Sequence, residues 1–331
     1  MSHRDTKKTT MRIGIIGAGH IATKMAMTLK DTPERRFAIA SRDYAKACDF
    51  ATKYGFARAY GSYQSLVEDP DVDLVYIATP HSHHLAHASL AINHGKAVLC
   101  EKAFTANARE AEQLIRLAES KGVFITEAIW TRYMPFSATI RETIESGIIG
   151  QPQLLSASLC YPIEWKERLV RPELCGGALL DIGIYTINFA RMCFGTDIVD
   201  VRSASINGPT GMDMQETITL LYADGRVANL QSSTRSVCPR QGIICGTEGY
   251  IIVENINNPL CATVYNRDYT PIRTLEAPPQ VTGFEYEVDA CEEALRNGWL
   301  ESPFMPHAET LAVMRIMDSL RAEWNVRFPM D

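Results

Sequence analysis

A glycine-rich segment near the amino terminus has the residue types and spacing needed to bind a phosphorylated ligand. The segment Met11-Arg-Ile-Gly-Ile-Ile-Gly-Ala-Gly-His-Ile-Ala22 passes from an apolar strand pattern into a helical pattern and fits G-x-G-x-x-A. Gly17 permits a tight turn, and Gly19 has no Cβ to obstruct a pyrophosphate. The main-chain N–H groups of His20 and Ile21, at the start of the following helix, would point toward the phosphates. This arrangement predicts a dinucleotide-binding site.

The residues after the second apolar strand bear on which dinucleotide is bound. Phe37-Ala-Ile-Ala40 is followed by Ser41-Arg42-Asp43, so no carboxylate stands directly at the strand end, where NAD-binding folds hold the ribose 2′-hydroxyl. Ser41 can donate a hydrogen bond, and Arg42 can bind a phosphate or stack on adenine. The pattern favours NADP(H) as the preferred cofactor, and NAD(H) stays compatible with it. Capping of the next helix by Ser41 or Asp43 is the alternative interpretation.

A second group of polar residues follows two further strand patterns. Thr79 and Pro80 come after the third strand, and Glu101 and Lys102 end the fourth. Open α/β sheets bind ligands at the carboxyl ends of their parallel strands, so we expect Lys102 within reach of a nicotinamide, although such a lysine is ordinarily a solvated charge. No metal site is predicted, because acidic partners at ligand spacing are missing around the nearby histidines, which are His81, His83, His84 and His87.

Hydrophobic periodicity predicts the elements that must position these residues. Through residue 128, five strand patterns alternate with five helical patterns, which is typical of a parallel sheet covered by helices on both faces. After residue 128 the chain predicts helices at 135–147 and 176–194, then a succession of strands between 199 and 266, and closing helices at 283–297 and 307–326. Adjacent strands of this kind predict an antiparallel sheet.

The predicted fold class is therefore α/β in two domains. An N-terminal Rossmann domain with a doubly wound parallel sheet would span residues 11–128, and a C-terminal α+β domain with a mainly antiparallel sheet would span residues 129–331. Residues 1–10 are polar and are predicted to be a disordered tail. The last helix could return to pack on the first domain.

Composition excludes several classes of function. The 331 residues carry 33 basic and 39 acidic side chains, and a net charge of -6 offers no general attraction to nucleic acid or to anionic membranes. No apolar run approaches the roughly 18 residues needed to span a bilayer. Nine cysteines at irregular spacing, with no C-x-x-C, fit a reducing cytoplasm rather than a disulfide framework.

Longer motifs point to a known family. Beside the glycine turn, the chain carries Ala78-Thr-Pro80 with His84, Gly95-Lys96 and Glu101-Lys102. More specific strings are Glu127-Ala-Ile-Trp-Thr-Arg132, Gly176-Gly-Ala-Leu-Leu-Asp-Ile-Gly-Ile-Tyr185 and Glu301-Ser-Pro303. Over nearly its whole length the chain resembles the Gfo/Idh/MocA oxidoreductases, and within them the dihydrodiol dehydrogenase branch. The resemblance implies a C-terminal domain with an open sheet, on which a homodimer or higher homo-oligomer is built.

The resemblance implies the catalytic set Lys102, Asp181 and Tyr185. Asp181 and Tyr185 are four residues apart and would share one helix face. A nearby ammonium would lower the pKa of the tyrosine from about 10, so that Tyr185 could act as acid in carbonyl reduction and as base in alcohol oxidation. Lys102 would tune Tyr185, and Asp181 would orient Lys102 or the substrate. In the family, the lysine is followed by proline in a Glu-Lys-Pro motif; in this chain Glu101-Lys102 is followed by Ala103.

The resemblance also implies the surroundings of the site and its reaction. His84 matches a position near the cofactor. We expect the small-molecule substrate, a sugar, trans-dihydrodiol or similar polyol, to exchange hydride with nicotinamide C4. Alternatives are an NAD-dependent sugar or inositol dehydrogenase, a redox-assisted glycosidase of the same fold, and a cofactor-binding regulator without turnover. The residues expected to line the substrate pocket are Trp130, Arg132, Tyr161 and Phe284.

Overall fold

The computed structural model describes residues 10–331, so the tail predicted over residues 1–10 lies, apart from its last residue, outside the described residues. The first part of the chain forms a six-stranded parallel sheet in the order β3-β2-β1-β4-β5-β6, the order of a dinucleotide-binding Rossmann fold. Its strands are β1 (Ile13–Ile16), β2 (Arg36–Ala40), β3 (Arg58–Tyr60), β4 (Leu74–Ile77), β5 (Ala97–Glu101) and β6 (Ile125–Ala128). Its helices are α1 (His20–Thr28), α2 (Tyr44–Tyr54), α3 (Tyr63–Glu68), α4 (His84–Asn93) and α5 (Ala108–Lys121).

The predicted parallel sheet is confirmed, and its boundaries follow from burial and capping. Strands β1, β4 and β5 are buried at every position, as expected of strands covered on both faces. Helix α5 begins where the side chain of Asn107 accepts the N–H of Glu110, and it ends at Gly122 with a left-handed φ of 62°. The short strand β3 was not predicted, because its Arg-Ala-Tyr sequence has no apolar run and only one of its edges is paired.

The second part of the chain forms an eight-stranded sheet in the order β14-β13-β12-β11-β7-β10-β9-β8. Only the pairing of β7 with β10 is parallel, so the predicted mainly antiparallel sheet is confirmed. Strand β14 was not predicted, because five of its six residues are exposed and no alternating pattern marks it. The strands are β7 (Pro152–Cys160), β8 (Ile198–Asn207), β9 (Asp213–Tyr222), β10 (Val227–Ser233), β11 (Gly242–Gly246), β12 (Gly249–Glu254), β13 (Cys261–Asn266) and β14 (Pro271–Glu276).

The helices of this part of the chain are α6 (Pro135–Glu145), α7 (Glu167–Val170), α8 (Ile184–Phe194), α9 (Glu285–Asn297) and α10 (His307–Glu323). Helix α8 packs on β7 and β10, and α6 and α10 pack on α8. The single helix predicted over residues 176–194 is instead a wide π-helical turn, Leu179–Gly183, continued by α8. Helix α10 packs against α5, and Asp318 accepts the main-chain N–H of Ala108 at 2.8 Å.

Within residues 10–331, none of the helices combines the length and the apolar character required to cross a membrane.

Candidate active site

One cavity of about 460 Å³ opens where the ends of β1, β4 and β5 meet the second sheet and its helices. This is the position where open α/β sheets bind ligands, because the strand order reverses between β1 and β4. Twelve of the residues predicted to form the site line it: Gly19, His20, Ile21, Thr79, Pro80, Glu101, Lys102, Trp130, Tyr161, Asp181, Tyr185 and Phe284.

The turn between β1 and α1 can accept a phosphate group. Gly17 has a φ of +101°, and a Cβ there would lie 2.8 Å from the carbonyl oxygen of Ala78. A Cβ built on Gly19 meets no atom within 4 Å and extends into open space, and Gly19 itself precedes the first residue of α1. Because glycine has no side chain to cap the helix, the first N–H groups of α1 are left for a ligand. The turn therefore fits a dinucleotide pyrophosphate.

Lys102 and Asp181 form a buried ion pair at the bottom of the cavity. The Lys102 ammonium donates to the main-chain oxygen of Asp181 at 2.6 Å and to its carboxylate at 3.2 Å. Arg168 binds the same carboxylate with both ends of its guanidinium, at 2.8 and 2.9 Å. The side chains of Lys102 and Asp181 are only 12% and 8% exposed, so water screens this pair weakly.

The charge on Asp181 is secured by these two cations. Burial alone would raise the pKa of this carboxyl, but the positive charges of Lys102 and Arg168 outweigh burial and hold the pKa well below its usual range. Asp181 is therefore ionised at every pH near neutrality. It orients the Lys102 ammonium, which still faces the cavity.

Tyr185 faces the same cavity beside an aromatic pair. Its hydroxyl accepts a hydrogen bond from the indole N–H of Trp130 at 3.1 Å. The Trp130 ring stacks on Phe284 with centroids 4.4 Å apart and an angle of 15°. Gly283 permits this stacking, because a Cβ there would lie 2.6 Å from the Trp130 ring. Trp130 thus connects the tyrosine hydroxyl to the segment that begins α9.

The expectation that a nearby ammonium lowers the pKa of Tyr185 is wrong for this structure. Burial, followed by the negative charge of Glu101, raises that pKa well above 10. Lys102 lies over the face of the tyrosine ring, 5.1 Å from its centroid, and its hydrogen bonds go to Asp181 rather than to the tyrosine hydroxyl. Tyr185 therefore keeps its proton in the unliganded protein.

His84 lies behind the cavity rather than in it. The fully buried ring fits between two main-chain oxygens, with Nε2 2.8 Å from that of Thr79 and Nδ1 2.9 Å from that of Ala103. It connects the loops after β4 and β5, and so fixes the position of Lys102 indirectly. The peptide bond between Lys102 and Ala103 is cis.

Ser41 and Arg42 lie at the carboxyl end of β2, next to the glycine turn but outside the cavity lining. Asp43, not Ser41, caps α2 by accepting the N–H of Lys46 at 3.2 Å. Among residues 10–331, no acidic side chain pairs with Arg42, which leaves its guanidinium available for an anion. Burial first, and then the charge of Arg42, lower the pKa of the neighbouring His83.

Arg132 does not line the cavity, contrary to the prediction. Its guanidinium donates to the side-chain oxygen of Asn188 at 2.6 Å and to the carboxylate of Glu309 on α10. Arg191 binds the same carboxylate at 2.6 and 2.7 Å. Two buried arginines and one glutamate therefore join α8, α10 and the segment after β6, and the role of Arg132 is to hold these elements together.

Several residues that line the cavity are not among the site residues given in the sequence analysis. Arg168 lies on the short helix α7, and Lys24 stands four residues after His20 on the exposed face of α1, a signal that could have been used. Nothing in the sequence marks the positions of Lys166 and Asn257. All four are lining residues of the cavity.

Metal binding finds no support in the described part of the chain, where no group of three or more His, Cys, Asp or Glu side chains is arranged to hold an ion.

Comparison with known proteins places this geometry in a family. Residues 11–128 match the family model of the Gfo/Idh/MocA oxidoreductases with an NAD-binding Rossmann fold, and residues 137–252 match a C-terminal domain of the same family. Trans-1,2-dihydrobenzene-1,2-diol dehydrogenase of Danio rerio is 34% identical over 97% of this chain and 99% of its own length. The human enzyme of that name is 32% identical over 97% and 99%.

Solved structures share the fold. A 3-ketoreductase from Actinomadura kijaniata, in complex with NADP and TDP-benzene, superposes with a TM-score of 0.86 at 24% identity and covers 94% of this chain and 97% of its own. The aldose-aldose oxidoreductase of Caulobacter crescentus superposes with a TM-score of 0.85 at 22% identity, covering 96% and 98%. From its two family-model matches and its relatives of 32–34% identity over nearly its full length, the chain belongs to the Gfo/Idh/MocA oxidoreductase family.

Proposed function

We propose that this protein is an NADP(H)-preferring dehydrogenase/reductase that interconverts a secondary alcohol and a carbonyl. Its substrate would be a trans-dihydrodiol, a sugar or a similar polyol. The observation that carries the proposal is the convergence of Lys102, Asp181 and Tyr185 in one cavity beside the glycine turn. The relatives that are 32–34% identical over nearly the whole chain are dihydrodiol dehydrogenases, which supports the same class of substrate.

The glycine turn and the strand ends would hold the dinucleotide. The N–H groups at the start of α1 would bind the pyrophosphate, and Thr79 and Pro80 would flank the path toward Lys102. When bound, the nicotinamide supplies hydride transfer at its C4 atom. The residues of the chain then have to bind and orient the substrate oxygen and deliver or remove one proton.

Tyr185 would handle that proton. Because its pKa lies well above 10, the hydroxyl is the resting acid and can donate to an oxygen that gains negative charge during carbonyl reduction. The Lys102 ammonium, oriented by Asp181, would stabilise the same oxygen. In the reverse direction the tyrosine must first lose its proton, so we expect alcohol oxidation to accelerate as the pH rises.

The preference for NADP(H) rests on Arg42. A guanidinium without an acidic partner at the end of β2 suits a 2′-phosphate, whereas an NAD-specific site would have a carboxylate there.

The wall of the substrate pocket would be completed by Tyr161 and by the stacked rings of Trp130 and Phe284. The Tyr161 hydroxyl accepts hydrogen bonds from Arg240 and Asn257 at 3.3 and 3.2 Å.

A screen of nicotinamide absorbance tests the proposal most directly. Pentoses, hexoses, inositols, trans-dihydrodiols and dicarbonyls would be supplied with NADP(H) and separately with NAD(H). We expect turnover of at least one polyol or its carbonyl, with NADP(H) favoured. Sugar release without a net absorbance change would instead support a redox-assisted glycosidase, and cofactor binding without turnover of any compound would support a regulator.

A further inference from the structure

Two buried acids, Asp213 and Glu216, lie against the π-helical turn Leu179–Gly183. Neither of them has a part in the function proposed above. Asp213 begins β9, and Glu216 follows three residues later on the same strand. The two residues are 0% and 2% exposed. Buried carboxyl groups that are not paired with a cation are costly, so their presence beneath the π-helical turn Leu179–Gly183 calls for a reason.

Asp213 holds the beginning of the turn. One of its carboxylate oxygens accepts the main-chain N–H of Leu179 at 2.6 Å. The other oxygen has no hydrogen-bond partner within residues 10–331. A Cβ on Gly177 would overlap it, so only glycine leaves room for the carboxylate here.

Glu216 lies beneath the end of the turn. One oxygen accepts the hydroxyl of Ser232, the residue paired with Glu216 across β9 and β10. A Cβ on Gly183 would come within 2.6 Å of that oxygen. The second oxygen again lacks a partner in the described part of the chain. The two acids therefore contact opposite ends of one five-residue turn.

The surroundings of the two acids oppose negative charge. Burial raises the pKa of Asp213 to about 6, and burial together with the charge of Asp213 raises the pKa of Glu216 well above its usual range. The positive charge of Arg321 on α10 opposes the shift of Asp213. The charged form of each acid is therefore disfavoured in this pair.

The turn held by these acids contains Asp181. Both the main-chain oxygen and the carboxylate of Asp181 bind Lys102, which requires the turn to present two groups of one residue to the same ammonium. Wide π-helical turns frequently occur at functional sites. We propose that Asp213 and Glu216 are positioning residues, a buried acid pair that holds the π-helical turn so that Asp181 can orient Lys102.

The proposal predicts a pH dependence that rests on the proposed function. Protonation of Asp213, whose pKa is raised to about 6, should weaken its hydrogen bond to the N–H of Leu179. The turnover number, kcat, should then fall on the acid side while dinucleotide affinity is unchanged. Asp181 does not titrate in this range, because its pKa is held well below the usual value by Lys102 and Arg168.

Two conservative variants separate the roles of the acids. Asp213→Asn keeps the shape of the side chain but removes its charge. We expect kcat at pH 7.5 to fall tenfold or more, and the further loss of kcat at low pH to disappear. Glu216→Gln resembles the protonated acid, so kcat should change less than threefold and the loss of kcat at low pH should occur at the same pH as in the wild type. Thr217→Ala, on the exposed side of the same strand, is the control and should leave both unchanged.

A second measurement needs no turnover. Acetylation of lysines by a small anhydride, followed by mass spectrometry, reports how tightly each amine is held. In Asp213→Asn we expect Lys102 to be labelled several times faster than in the wild type. Lys166 lines the same cavity but does not contact the turn through Asp181, so its labelling rate should be unchanged and serves as the internal standard.

The two measurements keep the proposals apart. If the wild type turns over no compound in the screen, the proposed function fails, yet the labelling of Lys102 still tests the acid pair. Unchanged labelling of Lys102 in a folded Asp213→Asn protein would overturn the acid-pair proposal. Proportional losses of kcat, dinucleotide affinity and melting temperature in Asp213→Asn would also overturn the acid-pair proposal, because they would indicate only a weakened fold.

Discussion

The hydroxyl of Tyr185 and the ammonium of Lys102 face one cavity, but different partners hold them. Trp130 donates to the tyrosine, and Asp181 holds the lysine. In the proposed reaction, the lysine would contribute a fixed positive charge beside the substrate oxygen, and the tyrosine would contribute the proton. Because their hydrogen bonds go to different partners, the polar group of one residue can be removed without breaking the hydrogen bonds of the other.

Replacing these residues one at a time should separate chemistry from folding. Tyr185→Phe removes only the hydroxyl, and we expect kcat to fall about 10²- to 10⁴-fold, as for the loss of a general acid. Lys102→Met should lower kcat by a comparable factor. Steady-state kinetics measures both effects, and circular dichroism with thermal melting checks that the fold is kept. Near-normal turnover in both variants would reject the assignment.

Arg42 is expected to decide between the two dinucleotides. Arg42→Asp replaces the unpaired cation with the carboxylate typical of an NAD site, so the Kd of NADPH should rise about tenfold or more, because charge-assisted hydrogen bonds to a phosphate contribute about 1.5–3 kcal/mol. The Kd of NADH should stay level or fall. Fluorescence titration of both cofactors provides the measurement, and an unchanged preference would contradict this role.

At the scale of the element, the turn before α1 uses its two glycines for different purposes. Gly17 is needed for folding, because its φ is +101° and a Cβ would approach Ala78. A Cβ on Gly19 meets only open space, so we expect this glycine to be needed for the ligand rather than for folding. The same residue type is thus explained by backbone strain at one position and by access at the other.

The two glycine-to-alanine variants should therefore fail differently. Gly17→Ala should lower the free energy of unfolding by about 2 kcal/mol or more, since it combines a strained φ with a close contact. Gly19→Ala should fold with the wild-type melting temperature but bind NADPH about tenfold or more weakly. Urea denaturation and cofactor titration on both variants test the contrast. Equal losses of stability in the two would show that it is mistaken.

At the scale of the whole molecule, the ion network of Arg132, Arg191 and Glu309 joins elements distant in sequence. Glu309 is the only acid of the three, and the side chains of Arg132 and Arg191 are 11% and 4% exposed. Removing one partner of a buried ion pair leaves an uncompensated charge. The network thus makes the packing of α10 on α8 depend on a single carboxylate.

Glu309→Gln should be strongly destabilising for that reason. We expect the free energy of unfolding to fall by about 3–5 kcal/mol, the usual effect of breaking a buried ion pair, as measured by urea denaturation. Glu323→Gln, near the exposed end of the same helix, is the matched control. A Glu309→Gln protein as stable as the control variant would show that the network contributes little.

The face of the large sheet turned away from α8 carries an apolar stripe. Leu154 on β7, Cys245 on β11 and Tyr250 on β12 are cross-strand neighbours, and Ile243 and Ile252 form the adjacent pair. Leu154 is 42% exposed. Family resemblance implies a homo-oligomer built on this sheet, so we expect the protein to sediment as a dimer or a higher oligomer and Ile243→Glu to sediment as a monomer. A wild-type protein that sediments as a monomer would contradict the expectation. Lys53→Glu, on α2, is the control and should sediment as the wild type does.

Short-range patterns in the sequence were enough for the scaffold. The glycine turn, the apolar strands of the parallel sheet and the alternation of the second sheet follow from periodicity and backbone preferences, which act between residues close in the chain. The same reasoning predicted that Lys102 would lie at a strand end. It missed β3 and β14, because an exposed or edge strand has no burial pattern to reveal it.

Only the tertiary structure decided how the site residues are held. Arg132 follows β6 as predicted, yet its partner Glu309 comes from α10 and draws it away from the cavity. The pKa of Tyr185 is raised rather than lowered, because burial and Glu101 outweigh a lysine that is already bound to Asp181. Desolvation and charge pairing depend on which distant elements meet, and a single sequence does not contain that distance information. By itself the sequence determined the family, the fold class and twelve of the residues that line the cavity; packing determined their charges and their partners.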